Sequence, residues 1–185
     1  MLRVGQLAGN TTTGVWNEKE AWPMMLSTVK LVKALPEIKN QPLNWLPVDI
    51  AARAFVEAAV ERTEPTADDL EVIHVLNQHR ETTWTDLLEW LKKDNDFEVL
   101  TPAAWIEKLE AEQAKGVEHP AFKLIGLWKE NLCKQDQNVE NNEAADSAPH
   151  FETTGSVKAA PVLADIQPVD EDYFKKIWQW IDSTL

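Results

Sequence analysis

Residues 44–60 read NWLPVDIAARAFVEAAV, and this alanine-rich stretch constrains the fold more than any other part of the sequence. Pro47 suits the first turn of a helix, where its missing N–H costs no hydrogen bond, and Asp49 places a carboxylate near the positive helix end. The apolar residues that recur at helical spacing are Val48, Ala52, Phe55 and Ala59. Small side chains on one face predict that the helix packs closely on a sheet.

Two apolar runs flank this helix. The first, LRVGQLAG, begins at Leu2, and the second, LEVIHVLN, begins at Leu70 and is rich in branched side chains. The order strand, helix, strand predicts a right-handed crossover, in which residues 2–7 and residues 70–77 lie parallel. The residues between the helix and the second run are polar and predict a loop.

Composition limits the class of protein. A chain of 185 residues, 44% hydrophobic and 26% charged, is long enough for one globular unit with a sizeable core. Its net charge of −13 argues against nucleic acid and anionic membranes as partners. The single Cys133 excludes an internal disulfide and favours a reducing compartment. Neither a signal peptide nor a spanning segment is predicted, so a soluble cytoplasmic protein is expected.

The second half of the sequence has mostly helical patterns. Thr82 or Thr83 is predicted to cap a helix, the pair Thr101-Pro102 to start another, and Asp170 to cap the last. Residues 134–149 lose apolar periodicity and predict a mobile loop. None of the four histidines stands at zinc-ligand spacing, so no metal site is predicted.

Several separate blocks of the sequence resemble one family in its own order. The blocks are RVGQLAGNTTTGVWNEKEAWPMML, KALPEI, WLPVDIAARAF, VIHVLN and APVLADIQPVDEDYFKKIWQWI. They resemble the C-terminal half of thioester reductase (carboxylic acid reductase) domains. Such domains form the C-terminal part of fungal nonribosomal peptide synthetases, related adenylate-forming reductases and some polyketide synthases. They belong to the extended short-chain dehydrogenase group. The resemblance covers nearly the whole chain.

The resemblance implies a fold class and a division of the chain. The fold expected is α/β and predominantly helical: the C-terminal part of an NAD(P)-binding Rossmann-like fold, with two parallel strands and a helical substrate-binding lobe. The whole chain, residues 1–185, would form one unit. Within it, residues 1–81 would hold the last Rossmann strands and the crossover helix, and residues 82–133 the substrate lobe. Residues 134–149 would form the mobile loop, and residues 150–185 the C-terminal extended segment and helix. The resemblance places the extended part over residues 151–163.

The resemblance also implies binding residues. Arg3, Gln6 and Gly9 match a family strand whose following loop lies beside the nicotinamide, which makes them candidate cofactor-binding residues. From the residues alone, an ordinary paired arginine at Arg3 and a turn glycine at Gly9 are favoured over a direct catalytic role.

A second candidate set lies just downstream and consists of Trp16, Trp22, Met24 and Met25. Tryptophan and methionine together can line an adaptable apolar pocket, although large apolar residues at helical spacing are more often plain core. In the resembled family the corresponding helix faces a substrate carried on an acyl carrier protein. These four residues are therefore candidate substrate-binding residues.

The sequence lacks the two motifs that the superfamily uses for cofactor binding and hydride transfer. Pyrophosphate binding needs a glycine-rich turn before a helix, and the six glycines form no such cluster. The chemistry also needs a tyrosine four residues before a lysine, but the single Tyr173 is followed four residues later by Ile177. No catalytic residue is therefore predicted, and the chain alone is expected to bind no cofactor. NADPH is implied for the complete family domain.

Three functions stay open on this reasoning. The first is the substrate-lobe portion of an NADPH-dependent thioester reductase of secondary metabolism, inactive alone. The second is an accessory protein that binds an acyl intermediate or a carrier protein. The third is a cofactor-free cyclase or hydrolase using Asp49, His74 or His79. The expected partners are an acyl or peptidyl thioester on a carrier protein and either the missing N-terminal reductase half or a second copy.

An unpaired strand edge supports the expectation of a partner. Two parallel strands taken from a larger sheet leave the first strand's edge open and the alanine-rich helix faces uncovered. The sequence therefore predicts a homodimer, a partner supplying the missing half, or a rearranged fold that buries the edge.

Overall fold

The computed structural model describes residues 1–61, 72–138 and 151–185. The strands are β1 Leu2–Val4, β2 Leu7–Ala8, β3 Ala34–Pro36, β4 Leu46–Pro47, β5 Ile73–Val75 and β6 Glu98–Leu100. The helices are α1 Ala21–Val32, α2 Val48–Glu61, α3 Trp84–Lys92, α4 Pro102–Ala114, α5 Ile125–Asn138, α6 Thr154–Ala159 and α7 Glu171–Thr184. Two 3₁₀ helices cover Pro120–Leu124 and Pro161–Asp165.

The chain forms two compact units built from interleaved segments. The first unit comprises Met1–Trp16, Pro42–Thr82 and Pro149–Trp180. The second comprises Asn17–Gln41, Thr83–Ala148 and Ile181–Leu185.

The predicted parallel crossover is confirmed in the first unit. Strands β1 and β5 pair in parallel, with Arg3 opposite His74. The predicted strand over residues 2–7 is interrupted at Gly5 and Gln6. The backbone approaches β5 closely there, since a Cβ added at Gly5 would be 2.9 Å from the Leu76 Cβ. Beyond this break the chain resumes as β2, which pairs in parallel with β4.

The central helix forms as predicted but buries a different face. It begins at Val48, and Pro47 belongs to β4. The core residues of α2 are Ala51, Ala54 and Ala58, which pack with Ile73 and Val75 of β5. The predicted face of Val48, Ala52, Phe55 and Ala59 is wrong: only Phe55 packs against this core, and the other three are exposed. Because the helix is apolar on two sides, helical spacing alone did not identify the buried one.

The segment predicted as extended over residues 151–163 is largely helical. It contains α6 and the start of the second 3₁₀ helix, whose Ala159, Ala160 and Val162 complete the core beneath α2. The Ser156 hydroxyl accepts a 2.8 Å hydrogen bond from the backbone N–H of His74. This segment therefore docks onto β5 and covers the alanine face, which had been expected to lie open.

The second unit is mainly helical. A substrate lobe over residues 82–133 stays a prediction. Strands β3 and β6 pair in parallel within it. Thr83 caps α3 with Asp86 in a capping box, and Thr101 caps α4 by accepting a 3.3 Å hydrogen bond from the N–H of Ala104. Helix α5 continues to Asn138, into the stretch over residues 134–149 for which a mobile loop is predicted. The rest of that predicted loop, residues 139–149, lies outside the described residues.

The last helix starts as predicted, because the Asp170 carboxylate accepts a 2.8 Å hydrogen bond from the N–H of Tyr173. Its fully buried side chains are Phe174, Ile177 and Ile181. Within the described ranges, no helix combines the length and the apolar character that crossing a membrane requires.

Candidate functional site

The candidate site of the first unit is built around the loop that follows β2. The backbone of this loop folds back on itself, since the N–H of Gly14 donates to the carbonyl of Asn10 over 2.8 Å, and the N–H of Asn10 donates to the carbonyl of Val15 over 3.0 Å. Gly14 has a φ of +69°, a conformation that favours glycine. A Cβ at Gly14 would lie 2.2 Å from the backbone oxygen of Lys176. The loop is thus pressed directly onto α7.

One side of the loop is fastened to the start of α2. Both carboxylate oxygens of Asp49 accept hydrogen bonds from Thr11, one from its N–H over 3.0 Å and the other from its hydroxyl over 2.6 Å. Because Asp49 also lies in the first turn of α2, the positive end of the helix favours its charge. The loop conformation is therefore tied to the helix start.

The other side of the loop is fastened to α7. The Tyr173 hydroxyl donates a 2.5 Å hydrogen bond to the carbonyl of Gly9, and the Lys176 ammonium donates a 2.8 Å bond to the carbonyl of Thr11. Burial raises the pKa of the Tyr173 phenol well above its ordinary value, and the Asp49 carboxylate raises it further. A general acid needs the opposite shift, so Tyr173 acts here as a hydrogen-bond donor to the backbone.

A cavity of about 250 Å³ opens between this loop, the start of α2 and α7. Its apolar lining residues are Trp45, Pro47, Ile50, Ile166, Pro168 and Val169. Thr11, Tyr173 and Lys176 contribute polar groups, and Asp165, Asp170 and Asp172 contribute carboxylates. The cavity can hold the apolar part of a small ligand with a polar group at its rim.

The predicted residues of the first unit have different surroundings. Arg3 is exposed on β1. The backbone carbonyl of Gln6 accepts a hydrogen bond from Leu46 in the β2–β4 connection. Gly9 is buried, and a Cβ there would lie 2.5 Å from the Gly14 oxygen. Trp16 packs edge-on against Trp45, with ring centroids 5.0 Å apart, and so supports a wall of the cavity. Only Gly9 and Trp16 therefore contact parts of the site, and a cofactor role of Arg3, Gln6 and Gly9 stays a prediction.

The other three predicted substrate residues lie in the second unit. Met24 and Met25 of α1 are 7% and 3% exposed. The Trp22 ring lies 5.3 Å from that of Trp84. These side chains form part of the core of the second unit in the structure, and their contact with substrate stays a prediction.

The residues that build the site were not selected from the sequence. Thr11 stands in a run of three threonines, and Asp49 was noted only for the helix end and as one option for cofactor-free chemistry. Tyr173 and Lys176, three positions apart on one helix, share a face, which is the one local signal that could have identified them. Their partners in the loop are more than 160 residues away, and no local pattern indicates such contacts.

Two described strands run directly into helices, one through Pro47-Val48 and the other through Thr101-Pro102, and neither junction contains a glycine. A pyrophosphate requires backbone N–H groups in a glycine-rich turn at such a junction. The connection from β2 to α1 does contain Gly9 and Gly14, but there the backbone of Gly14 packs against Lys176. These two junctions therefore do not fit the pyrophosphate of NADPH. In the described part of the chain, no three side chains of metal-binding type are grouped together.

Known proteins similar in sequence are large enzymes of fungal metabolism. The clavatol synthase claF of Penicillium crustosum is 24% identical over 98% of this chain and 7% of its own length. The non-reducing polyketide synthase pigA of Monascus ruber is 25% identical over 96% of the chain and 6% of its length. The adenylate-forming reductase stbB of Stachybotrys bisbyi is 33% identical over 69% of the chain and 12% of its length. No family model matches the chain.

Solved structures with a similar fold are reductase domains. The terminal R domain of the myxalamid PKS-NRPS pathway has a TM-score of 0.69 and 17% identity, covering 98% of this chain and 43% of that one. The R domain of a nonribosomal peptide synthetase from Mycobacterium tuberculosis has a TM-score of 0.57 and 13% identity, covering 97% of this chain and 46% of that one. This chain therefore has slightly less than half of an R-domain fold.

The fold and the relatives together define an R-domain-like chain. It is an α/β protein with short parallel strand pairs and mostly helices, related to fungal polyketide synthases and to an adenylate-forming reductase. The predicted resemblance to reductase domains is confirmed at this level.

Proposed function

We propose that this chain is the substrate-side part of an NADPH-dependent thioester reductase of secondary metabolism, and that it is inactive on its own. The proposal rests on one observation: the chain has part of a reductase-domain fold but not the features that bind its nucleotide. The chain reproduces slightly less than half of the solved R-domain folds. In the described ranges, however, the two strands that run directly into helices, at Pro47-Val48 and at Thr101-Pro102, have no glycine turn for pyrophosphate. In this proposal, nucleotide binding and the tyrosine–lysine chemistry belong to the part of the domain that this sequence does not contain.

The role proposed for the described residues is to shape the substrate side. Asp49, Tyr173 and Lys176 hold the loop after β2 in one conformation, and that loop forms part of the cavity wall. In this proposal the acyl group of a carrier-bound thioester contacts the cavity, whose wall Trp16 supports. Trp22, Met24 and Met25 of the second unit stay separate candidate contacts. When bound to the complete domain, NADPH would supply the hydride.

Nucleotide titration tests this proposal directly. The nine tryptophans provide a fluorescence signal for NADPH binding by energy transfer. The chain alone should give no saturable signal up to millimolar NADPH. When it is mixed with the reductase segment that immediately precedes the matched stretch of stbB, saturable binding is expected. Saturable NADPH binding by the chain alone would refute the proposal.

A second candidate function rests on the cavity itself. Because all of its lining residues belong to the first unit, the cavity exists without any other polypeptide. This favours an accessory protein that binds an acyl intermediate or a carrier protein. Titration with an isotope-labelled acyl carrier domain would distinguish the two functions: shifts without added reductase segment favour the accessory role, and shifts only in the assembled pair favour the reductase.

The structure offers little support for cofactor-free chemistry. The Asp49 carboxylate is engaged by Thr11. The His74 ring stacks on Phe151 at 4.7 Å, and the His79 ring contacts Glu81 and the backbone oxygen of Ile166. Each of the three side chains has its own separate partners, so they do not form a nucleophile and base acting on each other.

A further inference from the structure

The charged side chains around the cavity of the first unit are mostly negative. The lining includes the carboxylates of Asp165, Asp170 and Asp172. Among the lining residues that the structure describes, Lys176 is the one cation. A cleft lined by an excess of one sign of charge concentrates that field and repels ligands of the same sign. The lining therefore opposes a ligand that carries a carboxylate or a phosphate.

The helix end beside the cavity is already neutralised by carboxylates of the chain. A helix N-terminus attracts anions because its first N–H groups have no partner within the helix. In α7 the carboxylate of Asp170 accepts a 2.8 Å hydrogen bond from the N–H of Tyr173. Glu171 and Asp172 add two more carboxylates in the first turn. An anionic ligand therefore gains little from this helix end.

The two hydroxyl groups of the lining donate their hydrogen atoms to other parts of the chain. The Thr11 hydroxyl donates to the Asp49 carboxylate over 2.6 Å, and the Tyr173 hydroxyl donates to the carbonyl of Gly9 over 2.5 Å. A hydroxyl group has one hydrogen atom, so each of these oxygens can only accept a further hydrogen bond. A ligand that binds to them must bring its own donors.

Lys176 is the donor that the lining still offers. Its ammonium donates a 2.8 Å hydrogen bond to the carbonyl of Thr11, and an ammonium has three N–H groups. The remaining N–H groups can meet one neutral acceptor, such as the carbonyl oxygen of an acyl group. One ammonium does not balance three carboxylates, so a negatively charged ligand stays disfavoured.

The size and the apolar wall of the cavity limit the ligand further. Its volume of about 250 Å³ is smaller than the roughly 300–1,000 Å³ of sites for drug-sized ligands. Trp45, Pro47, Ile50 and Val169 belong to the apolar wall, which favours the burial of hydrocarbon. The cavity therefore suits one small ring or a short branched chain.

We propose that this cavity selects an uncharged acyl group that carries hydroxyl donors, and that Asp165 and Asp172 exclude acyl groups with a carboxylate. The inference rests on the proposed function, because it takes the cavity as the acyl-binding site. Both aspartates are exposed, so their substitution should leave the fold intact. Asp170 is kept unchanged in the test because it caps α7.

Three small probes of similar size distinguish the contributions of charge and hydroxyl donors. They are methyl 3,5-dihydroxybenzoate, methyl 3,5-dimethylbenzoate, which has methyl groups in place of the hydroxyls, and the anion 3,5-dihydroxybenzoate. NMR titration of the isotope-labelled chain gives each Kd, and shifts of the backbone amides of Val169 and Tyr173 locate binding in the cavity. The dihydroxy ester should bind most tightly. The dimethyl ester should bind at least about threefold more weakly, and the anion at least about tenfold more weakly.

A charge-neutral double variant tests the two aspartates. Asp165→Asn with Asp172→Asn keeps the size and one acceptor oxygen of each side chain but removes both charges. The anion should bind this variant at least about fivefold more tightly than the unsubstituted chain, and the dihydroxy ester within about threefold. The matched control, Asp94→Asn with Asp96→Asn, removes the same charge from exposed positions of the second unit. The control should change each Kd by less than about twofold.

Salt distinguishes exclusion by charge from exclusion by shape. Between about 0.01 M and about 1 M salt the screening length falls from about 30 Å to about 3 Å. The preference of the unsubstituted chain for the dihydroxy ester over the anion should therefore fall at least about threefold. A preference based on shape would not change.

Each contrary result overturns the proposal. Equal binding of the dihydroxy ester and the anion would remove the selection, and a preference unchanged by salt and by the double variant would assign it to shape. An equal effect of the control variant would assign it to net charge instead of Asp165 and Asp172. If the dihydroxy ester shifts neither Val169 nor Tyr173, the cavity is not its site. The proposed function fails by a different observation, namely saturable NADPH binding by the chain alone.

Discussion

Tyr173 and Gly9, 164 residues apart, are joined by a 2.5 Å hydrogen bond from the phenol to the backbone carbonyl. This bond connects the last helix to the loop that follows the first strands. Together with the bonds of Asp49 to Thr11 it holds that loop from both sides. The geometry of the candidate site therefore depends on contacts between the two ends of the chain.

Loss of the Tyr173 phenol should change the alkaline stability of the protein. The folded pKa lies above the ordinary value of 10.0, so folding favours the protonated phenol. Its contribution is complete below pH 10.0 and is lost as the pH rises further, by up to about 1.4 kcal/mol per pH unit. Tyr173→Phe should be less stable at neutral pH by about 1–2 kcal/mol, and this difference should shrink above pH 10. Chemical denaturation from pH 7 to pH 11 measures it. A pH-independent difference would contradict the buried phenol.

The bond between Thr11 and Asp49 should be measurable in the same way. Thr11→Val keeps the side-chain shape but removes the hydroxyl group. One carboxylate oxygen of Asp49 then loses its hydrogen bond from Thr11. The expected loss of unfolding free energy is about 1–2 kcal/mol. Thr12→Val is the matched control, since Thr12 is exposed in the same loop, and it should change stability by less than about 0.5 kcal/mol. Equal effects of the two variants would show that the Asp49 contact does not hold the loop.

Alanine substitutions at two glycines with positive φ distinguish the cost of backbone strain from the cost of a steric collision. Gly14 and Gly116 have φ angles of +69° and +82°. A Cβ at Gly14 would collide with the backbone of Lys176, whereas a Cβ at Gly116 would meet nothing within 4 Å. Gly116→Ala should cost about 1 kcal/mol from φ alone, and Gly14→Ala should cost about 3 kcal/mol or more. Thermal unfolding compares them, and a similar cost at both sites would mean that the loop does not pack on α7 as described.

The buried face of α2 can be tested with two alanines. Ala54 is 0% exposed against β5, while Ala59 is exposed on the other side of the helix. Ala54→Leu should destabilise the protein by about 1–3 kcal/mol through overpacking. Ala59→Leu should be within about 0.5 kcal/mol of the parent protein. If the order of these effects is reversed in urea denaturation, the helix buries the face expected from the sequence instead.

Local chemistry explains which parts of the fold were predictable. The parallel pairing of β1 with β5 followed from two apolar runs around an alanine-rich helix. The caps at Thr83 and Thr101 followed from short-range side-chain hydrogen bonds, which depend on residues three positions away. Each of these features is encoded within a few residues or by a simple alternation of elements.

Long-range packing explains what was not predictable. Helix α2 has two apolar sides, and only the position of β5 and α6 decides that Ala54 is buried and Ala52 exposed. Helix α6 forms in a stretch with threonines, a glycine and a nearby proline, where docking of Ser156 on β5 outweighs weak helix propensity. The site residues Thr11 and Asp49 are 38 positions apart, so only the folded chain brings them together.

Helix α2 also carries apolar side chains on its exposed side, where Val56 and Val60 are 63% and 70% exposed. In the function proposed above, this chain supplies the substrate side of a reductase, and the nucleotide side is a separate part.

Turnover by separated parts is the most direct test of that division. NADPH oxidation on a carrier-bound acyl thioester should be followed with the chain alone, the preceding stbB segment alone, and the two together. Our account predicts that only the mixture oxidises NADPH and releases aldehyde. Oxidation of NADPH by this chain alone would contradict it.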